Sequence, residues 1–238
     1  NGDQLALNNA GDRFTQLGLQ HSGTQNGALW LDDTDGMVDL YANTNHGIRL
    51  KTGGDNPRVT ILSGGNVGIG TTNPGRTLEV STDGTAQFRL SRVDTTINGN
   101  NTIGTIEFWG NDDTSGTIGA TIAAHAASTW GGGAYPTDLR FSTMDGSTLS
   151  ERMRIDHDGN VGIGETSPDA RLDIRSSGAS SYPLLIKSSD DQQLFRFREE
   201  SDTRGTFYIN DASESSKVTL ASSGNSSFLG GNVGIGTA

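Results

Sequence analysis

The hexapeptide Gly-Asn-Val-Gly-Ile-Gly occurs three times in this chain, at residues 65–70, 159–164 and 231–236. A recurrence of that length constrains the fold strongly, because it marks one structural unit used repeatedly. The likeness extends outward. The first copy is followed by Thr71-Thr72-Asn73-Pro74 and then Leu78-Glu79-Val80, the second by Glu165-Thr166-Ser167-Pro168 and then Leu172-Asp173-Ile174. Ahead of them lie Arg58-Val59-Thr60-Ile61 and Arg152-Met153-Arg154-Ile155. The third copy has a different upstream segment and is followed only by Thr237 and Ala238, so its continuation is expected to have been cut or cleaved away. The spacings are 94 residues from Gly65 to Gly159 and 72 from Gly159 to Gly231. Unequal spacings exclude a solenoid of fixed period and point to one recurring joint between modules of different size.

The joint has a legible physical design. On a strand, alternate side chains face opposite sides, so Val67 and Ile69 share one face while Gly68 and Gly70 leave the other bare. A bare glycine face lets a backbone or a bulky side chain approach closely. The proline four residues after the last glycine stops the strand and fixes a bend. Such a strand suits a narrow axis between subunits, and Val67, Ile69, Val161, Ile163, Val233 and Ile235 are the residues expected to line it. A phosphate cradle is a poor reading. The dinucleotide fingerprint runs Gly-x-Gly-x-x-Gly and opens a helix, whereas here a proline and a second strand follow.

Composition agrees with a chain that leans on partners. Leu, Ile, Val and Phe make up 49 of 238 residues, and glycine alone contributes 34. That is thin material for the core of a monomeric enzyme of this size, so a partner chain is expected to supply the rest. The 21 Asp against 7 Glu favour turns, and 14 Arg against 3 Lys favour geometrically fixed ion pairs. A net charge of −11 repels phosphate backbones, which argues against nucleic-acid partners. No apolar run approaches the roughly 18 residues of a membrane span, so no membrane insertion is expected. There is no cysteine, hence no disulfide and no thiolate chemistry. The chain begins at Asn1 rather than Met, which reads as a mature or cut piece of something longer.

Between joints the sequence alternates short apolar-polar strands with Asp-Gly and Asn-Gly turns. Strands are expected at residues 14–19, 28–31, 37–41 and 47–50; at 86–90, 105–109, 117–122 and 138–141; and at 184–186, 194–198, 206–209 and 217–220. Only residues 118–128 could pass for a helix, and the interior glycine and threonine weaken that reading. The fold class is all-β, with a module at 1–64, a joint at 65–80, a module at 81–158, a joint at 159–174, a module at 175–230 and the start of a third joint at 231–238.

The string Glu151-Arg152-Met153-Arg154-Ile155, the hexapeptide at 159–164, Pro168 and Leu172-Asp173-Ile174 together resemble the joints of bacteriophage and large-virus tail-fibre proteins. In that family such joints often stand upstream of an intramolecular chaperone of the endosialidase type. The motif covers about 50 of the 238 residues; the modules between are similar only in style. The resemblance implies an elongated homotrimeric fibre, a virion and extracellular location, other fibre and virion proteins as partners, and removal of any chaperone by self-cleavage. No segment here is that chaperone, so its serine-lysine chemistry is assigned to no residue.

Candidate sites are few. Trp130-Gly131-Gly132-Gly133-Ala134-Tyr135-Pro136 places two aromatics around a glycine run, and Trp130 and Tyr135 could offer a flat platform to a sugar ring; the competing reading is packing against a neighbouring chain. Trp30 and Trp109 sit inside strand patterns and read as core or interchain packing. The acidic turns at 32–36, 111–113 and 156–159 carry oxygen donors suited to calcium, but the twelve-residue loop with its closing Glu is absent and hairpin turns explain them. The four histidines, His21, His46, His125 and His157, lack zinc spacing; His125, among alanines, is the one that could face a three-fold axis. No metal, cofactor or catalytic residue is assigned. The chain is expected to be a non-enzymatic segment that spaces a fibre and contacts a host cell-surface polysaccharide or receptor. The alternatives are a polysaccharide depolymerase with carboxylates at chain interfaces, and a bacterial surface adhesin built on the same joint.

Overall fold

The computed structural model describes residues 4–229, apart from 11–13, 22–23, 33–36, 44, 113–114, 179, 202–203 and 211–214. Every element among them is a β-strand, and the chain divides into two compact units, residues 1–89 and 90–238. In the first unit, β1 (Gln4–Ala10), β2 (Phe14–His21), β3 (Thr24–Asp32) and β4 (Met37–Ala42) form an antiparallel meander. β5 (Ile48–Lys51), β6 (Pro57–Ile61), β7 (Val67–Ile69) and β8 (Leu78–Val80) form a second sheet, antiparallel except for its last pair, β7 and β8, which run parallel.

The second unit repeats that ending. Its larger sheet pairs β9 (Thr102–Asn111), β10 (Gly116–Ala126), β11 (Thr137–Met144), β12 (Leu149–Ile155), β13 (Val161–Ile163) and β14 (Leu172–Ile174) in chain order. Again only the last pair is parallel. A five-stranded antiparallel sheet follows: β15 (Leu184–Lys187), β16 (Gln193–Glu199), β17 (Gly205–Asn210), β18 (Ser216–Ala221) and β19 (Ser227–Phe228).

The two complete joints agree bond for bond at an offset of 94 residues. Leu62 N–H donates to Asn66 O at 2.9 Å, as Asp156 N–H does to Asn160 O at 2.9 Å; Gly70 N–H reaches Arg58 O and Gly164 N–H reaches Arg152 O, both at 2.9 Å. Parallel neighbours ordinarily need a crossover of a dozen or more residues. Here residues 70–77 make the return, so the connection must hug the sheet. It does so over the bare glycine. A Cβ added to Gly68 would stand 2.6 Å from the Thr71 carbonyl oxygen and 3.3 Å from Pro74 Cδ, and Pro74 is buried. Gly70 then turns the chain at φ +78°, a region that glycine alone enters without strain. The occupant of the glycine face is thus the chain's own return loop, and the Val/Ile face is the one left open.

Residues 118–128 fall mainly in β10 rather than in a helix, where β-branched Ile118, Thr121 and Ile122 pair with β9 and β11. Residues 86–90 form no strand: they find no backbone partner, and Phe88 is exposed. The third joint, with Val233 and Ile235, lies outside the described residues.

Candidate functional site

Cross-strand partners share a face of a sheet, so the register states which side chains line up. Across the six-stranded sheet one row runs Ile106, Ile122, Phe141, Met153, Ile163, Ile174, apolar at every strand. A second row carries Ala124, Leu139, Ile155, Val161 and Leu172. The sheet of β5–β8 repeats the pattern with rows Leu50, Val59, Ile69, Val80 and Ile48, Ile61, Val67, Leu78. Neither face is covered by its own chain. Ile69 is 43% exposed and Ile163 41%; Leu78 is 60% exposed and Leu172 57%. The agreement between repeats shows that this exposure belongs to the joint. A third apolar face lies on the five-stranded sheet, where Leu184, Phe197, Phe207 and Leu220 align and the Phe197 and Phe207 rings are 4.8 Å apart.

The opposite faces are polar and ordered. On β15–β19, Arg196 lies over the Tyr208 ring at 4.3 Å from its centroid. On the six-stranded sheet, Asp138, Arg140 and Arg154 share the face that the return loop 165–169 covers, with Glu151 beside them. Arg154 Nε and Nη2 donate to the two Glu151 oxygens at 2.6 and 2.8 Å, a bidentate pair that raises the pKa of the guanidinium. Arg140 Nη2 donates to Asp138 Oδ2 at 3.0 Å and to Asn100 Oδ1 at 3.2 Å, and Arg154 Nη1 reaches the same Asp138 oxygen at 3.4 Å. The sequence reading did not single out these residues. The available signal was an arginine at the alternate position of two apolar strands, Arg140 between Leu139 and Phe141 and Arg154 between Met153 and Ile155.

Trp130 and Tyr135 do come together. Their ring centroids are 5.5 Å apart at an interplanar angle of 81°, an edge-to-face pair rather than a coplanar platform. Trp130 spends its indole N–H on Pro136 O at 3.2 Å and is half-buried, which leaves Tyr135 as the exposed ring of the loop. Trp109 lies in β9 and is exposed, with its ring against Gly116. His125 Nδ1 lies 3.4 Å from Thr102 Oγ1, a hydrogen bond within its own sheet. Among the described residues no group of three His, Asp or Glu side chains is placed to hold a metal ion.

The acidic turn at 156–159 is a cap. The Asp156 carboxylate accepts the backbone N–H groups of Asp158 and Asn160 at 3.0 and 2.8 Å and the Asn160 side-chain amide at 3.2 Å. Burial works to raise its pKa, but these donors outweigh it and hold the carboxyl below its usual value. A carboxylate depressed on folding adds stability above its unfolded pKa, ~3.9, and that contribution disappears as pH falls through the folded value. Asp156→Asn is therefore expected to lower the melting temperature at pH 7, with the gap to the unsubstituted protein narrowing as pH falls below the usual carboxylate range and through the depressed folded pKa. A gap independent of pH in calorimetric scans would contradict this role.

No family model matches the sequence, and no curated protein matches it. Solved structures do. The carboxy-terminal domain of the bacteriophage T5 L-shaped tail fibre with its intramolecular chaperone domain is similar at 16% identity and a TM-score of 0.31, over 74% of this chain and 56% of that one. A structure of the carboxy-terminal domain of the same L-shaped tail fibre is similar at 13% identity and a TM-score of 0.29, over 66% of this chain and 73% of that one. The chain thus spans little more than half the length of the first.

Proposed function

We propose that this chain is a structural segment of a homotrimeric virion tail fibre. In this reading it spaces the fibre, joins other fibre and virion proteins, and touches host cell-surface polysaccharide without acting as an enzyme. The observation that carries the reading is the set of apolar sheet faces left open by a chain with almost no core. Among the described residues the buried apolar side chains are Ala28, Ile97, Ala123 and Ala126, and the largest fully buried side chain is Thr60. Apolar faces of this extent mark surfaces that another chain covers.

Self-association answers the shortage simply, because every copy brings the same faces and a closed symmetric assembly buries them all. The number three comes from the likeness of the joint motif to those of trimeric fibres. Glycan contact is assigned to the exposed Tyr135 ring, whose apolar face and phenolic tip suit a sugar.

Light scattering on the native protein is expected to give the mass of three 25.0 kDa chains. A stable single chain, or a particle of two, would overturn the trimeric reading. A trimer that binds no immobilised glycan, or binds equally well after Tyr135→Ala, would remove the glycan assignment and leave the structural one standing.

A further inference from the structure

The charged cluster on β11 and β12 floors a cavity of about 310 Å³, whose other walls include Asn100, Asp156, His157 and the return loop at Thr166 and Ser167. That volume is at the small end of ligand pockets. Asp138 is its deepest charged group, with a side chain 4% exposed. Both arginines converge on its Oδ2, while Oδ1 is buried with no hydrogen-bond partner. His157 Nδ1 lies 3.6 Å from Oδ1, beyond hydrogen-bond reach, on a side chain that is 45% exposed. A buried carboxylate oxygen left without a donor is costly and rare in folded proteins.

The joint does not require this cluster, and the chain contains its own control. Ninety-four residues earlier Thr60 stands in place of Arg154, Leu62 in place of Asp156 and Ser63 in place of His157. On the neighbouring strand Arg49 pairs with Thr60 as Arg140 pairs with Arg154, so Gly47 takes the position of Asp138. The backbone hydrogen bonds of the two joints nevertheless agree. The charged residues of the second joint are therefore additions to a fold that forms without them.

Their chemistry selects a neutral, hydroxyl-rich ligand. The two guanidinium groups are already paired with Asp138 and Glu151, so they hold no unmatched positive charge for a phosphate or sulfate. The same two groups lie within 3.4 Å of the Asp138 carboxylate and repel a metal ion. Among the lining residues, Asp138 Oδ1 lacks a donor and Arg140 Nε lacks an acceptor, a pair of needs that a hydroxyl can meet. We propose that this cavity is a saccharide subsite in which Asp138 Oδ1 accepts a sugar hydroxyl and His157 is the side chain displaced on entry. The site lies wholly within residues 90–238 and is distinct from the Tyr135 loop, and it stands whether or not the chain is a fibre segment.

Saturation-transfer NMR on the native assembly tests it, with glucose, galactose, mannose and N-acetylglucosamine each at about 10 mM, suited to the millimolar affinity of a few contacts. At least one sugar is expected to give a signal. Ser167→Trp, a bulky side chain on an exposed position of the wall, should reduce that signal about tenfold, and so should Asp138→Asn, which keeps the volume but weakens the acceptor. All comparisons are made in a Tyr135→Ala background, which removes the loop's own proposed glycan contact; there His157→Ala should keep or strengthen the signal, and Ser147→Glu, on the exposed turn between β11 and β12, should leave it unchanged. Retained mass by light scattering confirms that each variant is assembled, and if Asp138→Asn does not fold, Ser167→Trp decides. In the Tyr135→Ala background, no signal from any of the four sugars, or a signal that survives the plugged cavity, would overturn the proposal.

Discussion

If copies assemble through the open apolar faces as proposed, Ile163→Glu is expected to leave single chains of 25.0 kDa. Ile163 occupies an inner position of the apolar row that crosses all six strands, and its own chain leaves it 41% exposed. Covering the part of such a side chain still open is worth about 1–2 kcal/mol, and a symmetric assembly repeats the gain in every copy. A glutamate loses that contribution and adds the cost of dehydrating a charge, while the copies bring like charges together. The strands themselves should survive, because the backbone ladder of β12–β14 does not involve the side chain. Size-exclusion chromatography with light scattering reads the result directly, and Ser147→Glu, on the exposed turn between β11 and β12, should leave the mass unchanged. An Ile163→Glu protein that keeps the original mass would show that this face is not the contact between chains.

Gly68→Val is expected to damage the joint from within rather than between copies. The added Cβ meets the Thr71 carbonyl oxygen at 2.6 Å and Thr71 Cγ2 at 2.9 Å, and neither can retreat freely. The return loop is tied at its far end by Val67 N–H to Thr77 O at 2.8 Å and Ser81 N–H to Ile69 O at 2.9 Å, and Pro74 pins its middle. Overpacking of this kind costs roughly 3 kcal/mol where backbone must move. Gly64→Ala provides the comparison: nothing lies within 4 Å of the point its Cβ would occupy and its φ is not left-handed, so its effect should stay within about 0.5 kcal/mol. Differential scanning calorimetry of both variants separates a joint that needs bare glycine from one that merely contains it. Equal melting curves would refute the close-packed return loop.

The hexapeptide made the strands of the joint legible before any coordinates, because Val/Gly alternation has period two and a proline ends the run. It left the direction of the return strand open. Leu78-Glu79-Val80 reads alike whether it pairs parallel or antiparallel, and only the shortness of residues 70–77 with Gly68 beneath them reveals how the loop lies. Residues 86–90 show the converse. Ala-Gln-Phe-Arg-Leu alternates as a strand should, yet a strand needs a neighbour, and the sequence does not state whether one exists. The aromatic loop was visible from composition, but ring orientation was not, since it depends on where the Trp130 N–H finds its acceptor. Asp138 escaped notice because a buried charge is recognised by what surrounds it, and its partners Arg140, Arg154 and Asn100 come from separate parts of the chain.

The parallel last pair of strands has a bearing on how such a chain can lengthen. In a purely antiparallel meander of four or six strands, the chain leaves at the end where it entered. Turning the final strand parallel to its predecessor makes the same even number of strands deliver the chain to the opposite end. The sheets of β5–β8 and β9–β14 both obey this rule and differ by one hairpin, β9–β10. Hairpins bring strands in twos, so one can be gained or lost without changing the direction in which the chain travels. Within these two sheets the joint thus acts as a parity keeper: a sheet can gain or lose whole hairpins and still deliver the chain to the end opposite its entry.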